Sequence, residues 1–166
     1  MTYATASALL ARFDAEEIAQ RTDRSLPRVV TADMLTTLAA GGNMSAYTAP
    51  QQAAAAASLQ VVQLAQQDAY DTINGYVNGR YDVPLATPPN AVLLAECDLA
   101  RYYLYDDNTT EVVKQRYESA ISYLKSIRDG KVSIGPTGAT QAPAPTGSVT
   151  VAQGNPTFNN DTLALY

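Results

Sequence analysis

The chain has 166 residues, of which eleven are basic, sixteen acidic and none histidine, for a formal charge of −5. That sign repels a phosphate backbone, which excludes a dedicated nucleic-acid binder, although a wall that DNA slides past without sticking suits it. Without histidine the commonest neutral-pH general base and the commonest metal ligand are missing, and the length fits one domain.

Thr5 is placed to cap a first helix whose Leu9, Leu10 and Phe13 face inward. Asp14 is placed to cap a second, with Glu17 three residues on, as in a capping box. Ser25-Leu26-Pro27 then stops the helix and turns the chain. Thr31 opens a third helix carrying Met34, Leu35 and Leu38, which ends at Gly41-Gly42, and Asn43 to Ala49 reads as a loop.

The stretch from Pro50 to Tyr81 is the longest element. Alanine favours helix and a proline suits its first turn, while Leu59, Val62, Ala65, Ala69, Ile73, Tyr76 and Val77 recur at three and four residue steps on one face. Its 32 residues span about 48 Å, whereas a compact body of this size has a diameter of roughly 36 Å. The helix is therefore expected either to bend near Gly75 and Gly79 or to project its alanine-rich first half, Ala53 to Ala57, against another subunit. Gly75 and Gly79, four apart, read as a site of close approach to a neighbouring helix.

Asp82 to Pro89 is a proline-forced extended connection. Asn90 is then expected to cap a helix through about Tyr105, with Leu93, Cys97, Ala100 and Leu104 in one stripe and Val92, Leu99 and Tyr103 in the adjacent one. Cys97, the only cysteine, reads as a buried small apolar residue, and a single thiol excludes an internal disulfide. Asp98 and Arg101 lie three apart and are expected to pair structurally, either with each other or through Arg101 to Asp71. After a loop at Asp106 to Thr110, a last helix runs to Asp129 with Val113, Tyr117, Ala120, Leu124 and Ile127 inward, and Gly130 ends it.

Beyond Gly130 the composition turns to Pro, Gly, Thr and Ala with little charge, which cannot bury enough apolar area to fold alone. Residues 131–166 therefore read as an extended tail with a reach of ~120 Å. Its apolar anchors Phe158, Leu163, Leu165 and Tyr166 suit a segment that orders on a partner. The expected fold is all-α: a compact bundle of about five or six helices over residues 1–130, with one long central helix and this tail. No apolar run reaches membrane-spanning length and no basic segment precedes the first short apolar run, so a membrane-free life in a cytoplasm is expected. Asp68 with Asp71, or Asp106 with Asp107, is the carboxylate pairing that a magnesium site would use. Two carboxylates without a phosphate-cradling loop read instead as solvated surface, so neither metal nor cofactor nor enzyme activity is expected.

Several motifs occur in a fixed order: Tyr3-Ala4-Thr5 with Leu9 to Phe13, Gln20 to Arg24, Ile73-Asn74-Gly75-Tyr76-Val77-Asn78-Gly79-Arg80-Tyr81 with Pro84-Leu85, Cys97 to Tyr102, Arg116-Tyr117, and Ile127 to Gly130. In combination, over residues 1 to about 135, they resemble the Mu-like bacteriophage head-to-tail connector proteins of the DUF1320 type. The resemblance implies a helical adaptor without enzyme activity, assembled as a homo-oligomeric ring of about twelve copies. Such a ring sits in the virion neck between the portal protein and the stopper or tail-completion protein, and double-stranded DNA passes through it. Ile73, Gly75, Tyr76, Gly79, Arg80, Tyr81, Cys97, Asp98 and Arg101 among these motifs read as a packing motif of the helical body. A helical protein-interaction module acting inside the infected cell is the alternative reading.

Overall fold

A computed structural model describes residues 2–105 and 108–135. Within them the chain forms six helices and no strand: α1 (Ala6–Arg12), α2 (Ala15–Thr22), α3 (Ala32–Ala39), α4 (Ala49–Val77), α5 (Asn90–Tyr103) and α6 (Glu111–Arg128). The local starts follow from side-chain capping. Thr5, Asp14, Thr31 and Thr110 each accept a hydrogen bond from a first-turn amide, which satisfies one of the donors that a helix start leaves open. At α4 the cap is Thr48, whose amide donates to the Gln51 side chain at 3.0 Å, so the helix starts one residue before Pro50. At α5 the capping position is Pro89, and Asn90 is the first helical residue rather than the cap.

α4 is the hub and packs against each of the other five helices. Val62, Ala69, Ile73 and Val77 on its inner face are fully buried, against a core that includes Leu9, Ile18, Leu35, Val92, Leu99, Leu124 and Ile127. Each large aliphatic side chain removed from water in this way contributes roughly 1.5–3 kcal/mol before chain entropy is subtracted.

Two expectations about this helix change. It has 29 residues, about 44 Å at ~1.5 Å per residue, and its alanine-rich half does not stand clear of the body. Ala55 and Ser58 are buried by the chain itself, and the Gln52 side-chain amide ties this end to the carbonyls of Met44 and Tyr47 at 3.0 and 2.8 Å. α2 and α3 both lie against α4, so the length is absorbed by layering short helices along it.

The close-approach reading of Gly75 and Gly79 also fails. Gly79 lies past the end of the helix at Val77, and a Cβ at either glycine would meet nothing within 4 Å. Asn78 and Gly79 are poor helix formers, and the helix ends where they begin. Gly130 is the glycine that matters here. Its φ of +76° is one that side chains resist, and a Cβ there would lie 2.3 Å from Nη1 of Arg80.

Candidate functional site

The motif residues converge on joints that hold the first residues to α4, α5 and the connection between them, and residues 132–134 to the turn after α4. At the N-terminal side, the Tyr3 hydroxyl donates to the Asn74 side chain and accepts the Leu85 amide at 3.0 Å, so one phenol links the first residues, the end of α4 and the proline connection. Its ring packs against Tyr70 at 4.8 Å between centroids. Ala4 follows into the core, where its amide donates to Glu96 at 2.9 Å and its carbonyl accepts Gln66 Nε2 at 3.1 Å.

Glu96 is fully buried, and its other carboxyl oxygen has no partner among the described residues. Burial pushes this carboxyl up to about 7, and the amides of Ala4 and Tyr3 offset only part of the rise. A neutral carboxyl is therefore the resting form over most of the acid range.

At the C-terminal side, Tyr81 receives the Ile134 amide on its hydroxyl at 3.1 Å. Ile134 is buried and Val132 packs on the core, so contacts with the body continue past Gly130 at least to Ile134. Arg80 lies against Gly130, and Arg128 sits over the Tyr76 ring at 5.9 Å. The second half of the Ile73 to Tyr81 motif thus fixes where the chain leaves α6.

A second polar cluster joins α2 to α5. Arg101 grips Glu17 with two parallel hydrogen bonds of 2.9 and 2.7 Å, and the Tyr105 hydroxyl donates to the same carboxylate. Burial pushes Glu17 up, but these bonds and the charges of Arg101 and Arg21 outweigh it and hold the carboxyl below its ordinary value. Arg101 also covers the Phe13 ring at 4.6 Å, and Arg21 covers Tyr105 at 4.1 Å.

The sequence expectations for these charges need correction. Arg101 pairs with neither Asp98 nor Asp71; Asp98 faces Arg116 at 3.7 Å. Glu17 serves Arg101 instead of closing a capping box. Cys97 is buried as expected, and burial pushes its thiol up to about 11. Ile73 lies in the core, while Gly75 and Gly79 are exposed. Phe158, Leu163, Leu165 and Tyr166 lie outside the described residues, as do Asp106 and Asp107. Asp68 and Asp71 are exposed on α4, and Asp71 accepts Gln67 Nε2 at 3.1 Å. Among the described residues no three His, Cys, Asp or Glu side chains gather as a metal site would require, and no helix is long and apolar enough to cross a membrane.

Glu96 and Gln66 were missed, yet a signal was present. Glu96 sits on the stripe of Val92, Leu99 and Tyr103, and Gln66 on that of Val62, Ala69 and Ile73, so helical spacing alone places both inward. Asp23 was also missed. It accepts the amides of Ser25, Val29 and Val30 at 2.8, 2.7 and 2.8 Å and shapes the turn between α2 and α3. Burial pushes its carboxyl up, but the Ser25 hydroxyl and these amides win and bring it down to about 2.

Against known proteins, residues 3–153 match the family model described as Bacteriophage Mu, Gp36. The match extends beyond residue 135, where the motif resemblance stopped. Two curated relatives are similar over part of their length. The Mu-like prophage FluMu protein gp36 of Haemophilus influenzae is 39% identical over 74 residues, which are 45% of this chain and 52% of that protein. Gene product J of Escherichia phage Mu is 32% identical over 82 residues, 49% of this chain and 58% of that protein. The aligned region thus spans little more than half of each relative. With the family model covering nearly the whole sequence, this chain belongs to the Bacteriophage Mu Gp36 family and is a Mu-like phage protein.

Proposed function

We propose that the chain is a structural adaptor in the neck of a tailed phage particle. In this reading, copies form a ring that joins the portal of the head to the stopper or tail and leaves a passage for double-stranded DNA. The observation that carries it is the match over residues 3–153 to a Mu phage family, read with the connector resemblance of the ordered motifs.

The geometry supports the reading in two ways. The motif side chains are spent on rigidity: Tyr3, Asn74 and Glu96 hold the first residues, and Arg80 and Tyr81 hold the chain where it leaves α6. A stiff body with a fixed exit for a long C-terminal segment suits a part that is stacked between others. The segment beyond residue 135, with Phe158, Leu163, Leu165 and Tyr166, is then a tether that adds affinity for a neighbouring neck protein through high local concentration. The net charge of −5 keeps passing DNA from sticking. The role is mechanical rather than catalytic, exercised in the virion after assembly in the host cytoplasm.

Imaging of particle necks tests this directly. Density for this chain is expected between portal and tail, and particles made without it are expected to show unjoined heads and tails. Joined particles lacking the gene product would sink the adaptor reading and favour an interaction module acting within the infected cell.

A further inference from the structure

A ring built from identical copies needs two different patches on each copy that fit one another, because only such heterologous contacts repeat around a closed circle. The described surface carries a matched pair. The first is the turn from Asp23 to Val30. Asp23 locks it from inside through the amides of Ser25, Val29 and Val30, so the turn is pre-shaped. At its tip Leu26 is 96% exposed, the most exposed large apolar side chain of the described residues. Two residues to either side stand Arg24 and Arg28, both exposed and neither ion-paired among the described residues.

The second patch is the outward face of α4. Leu64 is 64% exposed there, with exposed Ala57 and Gln60 on one side and exposed Asp68 and Asp71 on the other. Neither aspartate is ion-paired among the described residues. Residues 34–67 contain no charged side chain at all, so Leu64 lies at the edge of a neutral surface that these two carboxylates bound. Depletion of charge around an exposed aliphatic residue is the composition of an interface centre rather than of ordinary solvated surface.

We infer that the Leu26 turn of one copy seats on the Leu64 face of α4 in the next copy, with Arg24 and Arg28 set against Asp68 and Asp71. The inference rests on the ring reading above and names its subunit contact. A second copy is the occupant because each patch sets two like charges, not ion-paired among the described residues, beside one large exposed aliphatic residue, around Leu26 in one patch and on one side of Leu64 in the other, and the signs are opposite. Copies of net charge −5 repel as whole bodies, so a stable ring needs local contacts of this kind to offset the repulsion. The locked turn also loses little freedom on docking.

Cross-linking with a short bismaleimide tests the contact on full-length chains carrying Leu26→Cys or Leu64→Cys. Cys97 is buried and its thiol is pushed up to about 11, so it does not compete. Both substitutions are on the surface, and circular dichroism confirms that each variant folds. The expected result is covalent dimers in the mixture of the two variants, none from either alone, and a ladder of larger species from the double variant. The reaction is run on concentrated purified chain and on particles carrying both variants.

No mixed dimers in either preparation overturns the inference, as do dimers from one variant alone or attachment of Leu26→Cys only to another virion protein. In a second measurement, R24E/R28E is expected to weaken self-association by about tenfold or more, and D68K/D71K on the same chain to restore it. Failure of that rescue also overturns the charge matching. Neck density without mixed dimers leaves the adaptor reading and removes this contact. Mixed dimers from a chain absent from particles do the reverse.

Discussion

Replacing Glu96 by Gln isolates an ionisable side chain that is the only one fully buried among the described residues. The amide keeps the shape of the carboxyl and an oxygen for the Ala4 amide, but it cannot ionise. In the folded protein the carboxyl is pushed from 4.5 up to about 7. A folded value above the unfolded one means that the stability tied to the neutral form is fully present below about 4.5 and is lost as pH rises through about 7. At about 1.4 kcal/mol per pH unit, the interval amounts to ~3 kcal/mol, most of it lost between pH 5 and 8. Urea unfolding followed by far-UV circular dichroism, run for wild type and Glu96→Gln at several pH values across that range, gives the difference directly. Groups such as Glu17 and Asp23 titrate in both proteins and cancel. The variant is expected to gain on wild type as pH rises, ending more stable by roughly 2–3 kcal/mol relative to its position in acid. Parallel curves, or a variant that loses ground at high pH, would refute a neutral buried carboxyl and mean that Glu96 is ionised with an unrecognised partner.

Three further predictions use the same unfolding assay or a binding readout. Gly75→Ala, inside an exposed helical turn with open space around it, is expected to stabilise by about 0.5–1 kcal/mol, whereas Gly130→Ala, at φ +76° and against Arg80, is expected to destabilise by about 1–2 kcal/mol; equal effects would contradict the assigned backbone. A double-mutant cycle on Glu17→Gln and Arg101→Met is expected to give a coupling of roughly 1–3 kcal/mol that fades as pH falls through the lowered Glu17 value, because that contribution exists only while the carboxylate is charged. Deleting residues 158–166 is expected to leave the helical dichroism intact while weakening attachment to the neck partner, and loss of helix content would count against a peripheral tail.

The helices were legible because their signals are local. Thr5, Asp14, Thr31 and Thr110 each cap from one residue away, and the apolar spacing of α4, α5 and α6 names their inner faces without knowledge of what lies opposite. The polar joints were not legible because their partners are distant in sequence. Arg101 was matched to acids within reach on its own helix or on α4, yet it meets Glu17, 84 positions away. Asp98 is claimed by Arg116 on the neighbouring α6. Glu96 bonds to a backbone amide, and a backbone amide has no residue-type signature for sequence reasoning to find. The glycine pair misled for a related reason: spacing of four implies a shared face only if the helix continues, and α4 ends at Val77 between the two.

That correction changes what the long helix contributes to assembly. Length alone left either a bend near Gly75 and Gly79 or an alanine-rich half that stands out from the body, and in the second case all sides of that half would be available to a neighbour. With Ala55 and Ser58 buried by the chain's own short helices, only the outward face remains free, and its exposed positions run from Ala53 and Ala57 through Gln60 and Leu64 to Asp68 and Asp71. A single stripe on a helix held from behind by five others has one orientation relative to the body, which a projecting arm does not. For a ring, in which the angle between neighbours must repeat until it closes, that fixed orientation is worth more than a larger but movable contact.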